Sequence, residues 1–164
     1  MASDVTSVVI AGLGGQGVLK ASDILADAAF RAGLDVKKSE LHGMSQRGGS
    51  VSSDVRFGRE VLSPMVPPGQ ADYLVVLTAD QAEVNRHHLR SGGILIPPDL
   101  IDENSLPNRR SLNVALVGAL STHLGIGEAA WLAAVRANLP EKLHEANLAA
   151  FRLGRAAAQK HEAK

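Results

Sequence analysis

The chain has 164 residues, a length that favours one domain around a single core. Aromatic residues make up only 3% of it, so the core must consist mainly of Ala, Val, Leu and Ile, which suits an α/β fold better than a β-sandwich. The 17 basic and 17 acidic residues give no net charge, which argues against a nucleic-acid-binding protein. The absence of cysteine excludes disulfides, cysteine nucleophiles and ordinary cysteine-ligated iron–sulfur clusters within the chain.

The sequence indicates neither a secretory leader nor a membrane-spanning segment. Asp4 stands where a secretory leader would carry basic residues. The most apolar stretch, Val114–Val135, is interrupted by Ser121, His123 and Glu128 and makes a poor membrane span. We therefore expect a cytoplasmic protein that does not contact membranes.

Strands and helices are predicted to alternate along most of the chain. The predicted strands are Ser7–Ala11, Val36–Leu41, Ser50–Phe57, Tyr73–Leu77 and Ile94–Ile96. The predicted helices are Gly15–Ala32, Asp80–His88, Asn113–Leu124, Glu128–Asn138 and Glu141–Lys160, with Thr78 as an alternative start of the second. This order favours a three-layer α/β/α fold, Rossmann-like, with a mainly parallel sheet and C-terminal helices in a single domain, residues 1–164.

Three connecting segments carry more specific expectations. The short apolar run Val61-Leu62-Ser63 is expected to pair back on the alternating strand Ser50–Phe57 as a hairpin. Gly92-Gly93 is expected to end the second helix. Asp99–Arg110 is expected to form an irregular polar connection.

The segment Gly12-Leu13-Gly14-Gly15-Gln16-Gly17 joins the first strand to the first helix. A strand, a glycine turn and a helix together direct backbone N–H groups toward an anion, which suggests a nucleotide or phosphate. A dinucleotide site also requires an acid at the end of the second strand, and here the only acid is Glu40, well past that position. No Gly-Lys-Ser or Gly-Lys-Thr follows, so this is not a Walker loop. The glycines alternatively serve only a tight turn.

A second loop, His42–Gly49, contains Ser45, Gln46, Arg47, Gly48 and Gly49. The planar guanidinium of Arg47 suits a phosphate or carboxylate, and the glycines permit close approach of the backbone. Loops after successive parallel strands gather at one end of a sheet, so both loops are expected to face one site. A ligand and a partner subunit remain equally open as what this loop contacts.

No catalytic set or metal site stands out in the sequence. His42 has no visible catalytic partner, and His87-His88 at a helix end lacks further ligands. We expect no catalytic residue and no metal ligand in this chain.

The two glycine-containing motifs, Gly12–Gly17 and Ser45–Gly49, resemble those of the gamma subunit of 2-oxoacid:ferredoxin oxidoreductases, most of all the small (beta) subunit of indolepyruvate ferredoxin oxidoreductase. Two later segments, Asn113–Leu120 and Asn147–Gly154, also resemble that family. Gly154 lies inside a predicted helix, where Gly is unfavourable by roughly 1 kcal/mol relative to Ala. Close packing of another backbone there would explain it, and Gly118 is expected to serve the same packing.

The resemblance implies a subunit without its own catalytic chemistry. In this family thiamine diphosphate decarboxylates a 2-oxoacid such as pyruvate or indolepyruvate, iron–sulfur clusters pass electrons to ferredoxin, and coenzyme A accepts the acyl group. The thiamine diphosphate and the clusters are then expected on a large partner subunit, with no cofactor bound tightly by this chain. Coenzyme A is expected at the interface, where the Gly12–Gly17 and Ser45–Gly49 loops accept a phosphate and Arg47 is the leading residue.

Two other interpretations stay open at the level of sequence. The first is a free-standing Rossmann-type oxidoreductase or nucleotide-binding protein. The second is a scaffold whose glycines only pack. Tight binding of NAD(H), NADP(H) or FAD by the isolated chain would favour the first, and loop variants that assemble poorly but keep normal coenzyme A dependence would favour the second.

Overall fold

The computed structural model describes residues 4–42 and 49–162. Within these ranges the strands are β1 (Val5–Leu13), β2 (Asp35–His42), β3 (Ser50–Gly58), β4 (Ala71–Val76) and β5 (Leu89–Ile96). The α-helices are α1 (Val18–Arg31), α2 (Asp80–Asn85), α3 (Leu112–Ser121), α4 (Glu128–Asn138) and α5 (His144–Glu162). Short 3₁₀ turns follow α2 and β5 and precede α3 and α5. The α/β prediction is therefore confirmed.

The five strands form one mixed sheet in the order β2-β3-β1-β4-β5. β4 runs parallel to both β1 and β5, whereas β3 runs antiparallel to both β1 and β2. Four strands therefore point the same way, as a mainly parallel sheet requires, and β3 is the exception. The carboxyl ends of β1 and β2 and the start of β3 consequently lie at the same edge of the sheet.

The predicted hairpin involves different strands from those expected. β3 pairs with β2, the strand before it, and Val61 lies outside the sheet. The backbone N–H of Val61 donates to the carboxylate of Asp35 at 2.7 Å, and its carbonyl oxygen accepts from Nζ of Lys37 at 2.6 Å. Because side chains of β2 satisfy both backbone groups of Val61, no neighbouring strand is needed there.

The two faces of the sheet are covered unequally. Val8 and Ile10 of β1 face a large core formed with α1, α3, α4 and α5, in which Trp131 and Phe151 are fully buried with ring centroids 5.7 Å apart. Val9 and Ala11 face a smaller cluster on the opposite side, as the alternation of a strand requires. There the cover comes from α2 and from the loop between β3 and β4. The four larger helices thus form one full layer.

Two glycines allow α3 and α5 to approach closely. A Cβ built on Gly118 would lie 2.1 Å from the carbonyl oxygen of Phe151, and one built on Gly154 would lie 1.7 Å from that of Ala115. Any side chain at either position would overlap the other helix's backbone. This confirms the packing role expected for both glycines.

The Gly92-Gly93 pair does not end a helix, contrary to the sequence-based expectation. α2 ends at Asn85, a 3₁₀ turn covers Arg86–His88, and both glycines lie inside β5. Gly92 has φ +78°, and the register between β4 and β5 shifts between Ala71 and Tyr73. The glycines therefore form an irregularity within a strand.

Among residues 4–42 and 49–162, no helix is both long and apolar enough to cross a membrane.

Candidate functional site

The candidate site is centred on the turn between β1 and α1. Gly15 has φ +89° and Gly17 has φ +84°, in the left-handed region that favours glycine. The helix accordingly begins at Val18, three residues later than the sequence indicated. No side chain in the described ranges caps its first turn, and that turn contains no acidic residue. Its N–H groups are thus left for water or a ligand.

Gly12 permits the chain to fold back tightly after β1. A Cβ at this position would lie 2.9 Å from Oε1 of Gln16, 3.0 Å from Cγ2 of Val18 and 3.1 Å from Cβ of Leu77. The side chain of Gln16 occupies the space that a larger residue would need. The first glycine of the motif therefore serves packing within the chain.

Side chains from two distant elements hold the turn in place. Oε1 of Gln16 accepts a hydrogen bond from the backbone N–H of Leu13 at 2.7 Å and another from the hydroxyl of Thr78, just after β4, at 2.5 Å. Nδ2 of Asn113, near the start of α3, donates to the carbonyl oxygen of Gly17 at 3.1 Å. The turn is thereby tied to the ends of β4 and α3.

A backbone hydrogen bond joins the turn to the second predicted loop. The N–H of Gly14 donates to the carbonyl oxygen of Gly49 at 2.8 Å, next to the paired residues Leu13 and Ser50. Gly49 is therefore close to the glycine turn, as expected for loops at one edge of the sheet. Four other predicted site residues lie outside the described residues: Ser45, Gln46, Arg47 and Gly48.

The glycine turn borders two cavities. One, of about 280 Å³, is lined partly by Gly14, Lys20, His42 and Val51. The other, of about 430 Å³, includes three charged residues from the segment predicted to be an irregular connection: Glu103, Arg109 and Arg110. Gly15 and Gly17 line both cavities.

Arg109 and Arg110 lie beside the glycine turn because they belong to the segment that leads into α3. They lie in a 3₁₀ turn, Arg109–Ser111, which Asn108 caps by accepting the backbone N–H of Arg110 at 2.9 Å. An Asn followed by two basic residues and then an apolar helix is a readable cap signal in the sequence. What the sequence does not display is that this turn shares a cavity with a glycine loop more than ninety positions earlier.

The histidines do not form a metal site in the described part of the chain. The rings of His87 and His88 are 4.1 Å apart, and burial, together with the charge of His87, lowers the pKa of His88, while Asp54 opposes this. No group of three or more His, Cys, Asp or Glu residues is arranged to hold a metal ion within residues 4–42 and 49–162.

Two larger grooves lie away from the glycine turn. One, of about 660 Å³, includes Thr6, Tyr73 and His123 at the amino-terminal ends of β1 and β4. The other, of about 810 Å³, lies between β5 and α5. Neither groove includes a residue of the Gly12–Gly17 segment.

Comparison with known proteins assigns the chain to a family. Residues 7–107 and 98–157 match the family described as pyruvate ferredoxin/flavodoxin oxidoreductase. Subunit IorB of the indolepyruvate oxidoreductase from Thermococcus kodakarensis is 35% identical over 195 aligned positions, which cover 93% of this chain and 96% of that protein. Subunit KorC of the 2-oxoglutarate synthase from Methanothermobacter marburgensis is 29% identical, with 89% and 92% covered.

Solved structures show the same fold. The gamma subunit of a keto/oxoacid ferredoxin oxidoreductase from Geobacter sulfurreducens superposes with a TM-score of 0.80 at 24% identity, covering 96% of this chain and 98% of that one. The 2-oxoglutarate:ferredoxin oxidoreductase from Magnetococcus marinus gives a TM-score of 0.81 at 22% identity, covering 97% of this chain but only 32% of the other. Fold, motifs and sequence agree, and the chain is a member of the pyruvate ferredoxin/flavodoxin oxidoreductase family.

Proposed function

We propose that this chain is the small, non-catalytic subunit of a 2-oxoacid:ferredoxin oxidoreductase of the indolepyruvate type. The supporting observation is the 35% identity to subunit IorB across 96% of that protein's length. A relative that aligns over nearly the whole of both chains supports the same role in an assembly. The assembled enzyme would convert a 2-oxoacid, coenzyme A and oxidised ferredoxin into an acyl-coenzyme A, carbon dioxide and reduced ferredoxin.

The reacting groups belong, in this proposal, to a large partner subunit. That subunit would hold the thiamine diphosphate, which would supply the chemistry of decarboxylation, and the iron–sulfur clusters, which would supply the electron path to ferredoxin. This chain contains no cysteine, and cysteine thiolates are the ordinary ligands of such clusters. The lack of cysteine and the family both support this division of labour.

The glycine turn and the Ser45–Gly49 loop would accept a phosphate group of coenzyme A beside the partner subunit. Three features of the turn support this: its two left-handed glycines, the uncapped start of α1 and the hydrogen bond from Gly14 to Gly49. Arg47 would supply the cation on the loop side. The residues that we propose for this site are Gly12, Gly14, Gly15, Gln16, Gly17, Ser45, Gln46, Arg47, Gly48 and Gly49.

Purification from the native cell tests the subunit assignment. An affinity-tagged chain should retain a large subunit that contains thiamine diphosphate and iron–sulfur clusters, detectable by mass spectrometry and by the visible absorbance of the clusters. Recovery of the chain without such a subunit would contradict the assignment.

Calorimetry separates this proposal from a free-standing nucleotide-binding enzyme. The isolated chain should bind none of NAD(H), NADP(H) and FAD tightly, because Glu40 of β2 lies past the position of the acid that holds the ribose hydroxyls and is paired with Lys38. Tight binding of any of these cofactors would favour the free-standing oxidoreductase instead.

A further inference from the structure

We propose that Arg109, Arg110 and the side-chain amide of Gln16 bind a phosphate group in the cavity of about 430 Å³ beside the glycine turn. This inference rests on the proposed function, in which the phosphate belongs to coenzyme A. It places the phosphate between the turn and the segment that leads into α3.

The two arginines are available for a ligand. Both are exposed, and neither forms an ion pair with another residue in the ranges 4–42 and 49–162. Nη2 of Arg109 has one long contact, 3.5 Å to Oδ1 of Asn104, and the guanidinium of Arg110 has no hydrogen-bond partner in the same ranges. A guanidinium presents several N–H donors in a plane that matches a phosphate.

The hydrogen bonds of Gln16 determine which end of its amide remains free. The backbone N–H of Leu13 is always a donor, so the atom it contacts at 2.7 Å must be Oε1. The hydroxyl of Thr78 also donates to that oxygen. Nε2 of Gln16 has no hydrogen-bond partner in the described part of the chain, and Gln16 lines the cavity. Because an amide NH₂ only donates, Gln16 favours a ligand with acceptor oxygens.

Glu103 is the negative charge in the same cavity. Its carboxylate opposes an anion, but the two arginines outnumber it. Neutralising Glu103 should therefore improve phosphate binding, whereas neutralising the arginines should weaken it. The two kinds of substitution should therefore change the affinity for phosphate in opposite directions.

Steady-state kinetics of the assembled enzyme provide the test. In the R109Q/R110Q variant the KM for coenzyme A should rise about tenfold, the size expected when a hydrogen bond to a charged group is lost, with kcat little changed. E103Q should lower that KM. R136Q, on the exposed side of α4 and outside the cavity, is the matched control and should leave the KM unchanged.

Gln16→Glu gives a second, independent readout. A glutamate retains an oxygen that accepts from Leu13 and Thr78, so the thermal unfolding midpoint should stay near that of the unmodified enzyme. It replaces the free NH₂ by a negative oxygen, so the KM for coenzyme A should rise at least as much as in R109Q/R110Q. An unchanged KM in both variants would overturn the proposal.

Dephospho-coenzyme A identifies which phosphate occupies the cavity. If it is the 3′-phosphate, R109Q/R110Q should raise the KM for coenzyme A and leave that for dephospho-coenzyme A unchanged. If it is the diphosphate, both KM values should rise by the same factor. Should Arg47→Ala raise the KM while R109Q/R110Q and Q16E do not, this inference fails and the proposed function stands. Should none of the three variants change it, the phosphate role of the turn fails as well.

Discussion

Asn113 donates its side-chain N–H to the carbonyl oxygen of Gly17 across 3.1 Å, and so joins the start of α3 to the turn before α1. A Cβ on Gly17 would lie 2.4 Å from the same Asn113 nitrogen. The absence of a side chain at Gly17 therefore permits both its left-handed conformation and this hydrogen bond.

Gly17→Ala should destabilise the protein more than Gly15→Ala does. Both glycines have positive φ, so each substitution should lower the free energy of unfolding by about 1–2 kcal/mol for the backbone alone. Only Gly17 also contacts Asn113, which adds about 1 kcal/mol for the lost hydrogen bond. Chemical denaturation of the full chain measures the difference. In an Asn113→Ala background the two substitutions should become equal, and equal effects in the natural background would argue against the contact.

Gly154→Ala should lower the thermal unfolding midpoint of the protein. Ala is the better helix former by roughly 1 kcal/mol, but its Cβ would lie 1.7 Å from the Ala115 carbonyl oxygen. Separating α3 from α5 to relieve this overlap should cost about 1–3 kcal/mol or more. Gly125→Ala is the control, because no atom lies within 4 Å of a Cβ there. A higher midpoint for Gly154→Ala would show that helix propensity outweighs the packing.

The stability of the protein should fall as the pH drops below about 6.5, in part because of His88. Burial lowers the pKa of His88 from 6.5, so the unfolded chain takes up its proton more readily than the folded one. As the pH falls below 6.5, the free energy of unfolding should decline less steeply in the His88→Gln variant than in the unmodified protein. Burial raises the pKa of Asp54 above 3.8, an effect of opposite sign in a more acidic window. Identical pH profiles of the two proteins would contradict the role of His88.

Arg47→Ala should raise the KM of the assembled enzyme for coenzyme A if the Ser45–Gly49 loop contacts a phosphate. The expected increase is about tenfold, as for loss of a hydrogen bond to a charged group. Rates at saturating and at limiting coenzyme A separate this effect from a change in kcat. Unchanged rates at both concentrations, with normal assembly, would leave the loop without a role in coenzyme A binding.

Local signals in the sequence determine much of the fold. The helix Glu128–Asn138 has the bounds predicted for it, because Gly127 precedes it and Pro140 follows closely. The roles of Gly118 and Gly154 were readable from the unfavourable position of glycine inside a helix.

Features that depend on contacts between distant segments were missed. Glycine favours positive φ, so Gly92 indicates a helix end in the sequence, but the same property also permits the irregularity within a strand that the structure has. Val61 was interpreted as part of a strand because the local sequence does not show that Asp35 and Lys37 bind its backbone. Arg109 and Arg110 were assigned to a connection for the same reason, since only the folded chain places them beside the glycine turn.

Reconstitution from purified subunits tests whether this chain is a required subunit of the oxidoreductase. The large subunit is assayed for coenzyme A-dependent reduction of ferredoxin by a 2-oxoacid such as indolepyruvate, with and without this chain. Activity should appear only when both are present and should reach a maximum at a fixed ratio of the two. Full activity of the large subunit alone, or no activity in the mixture although the large subunit carries its thiamine diphosphate and clusters, would contradict it.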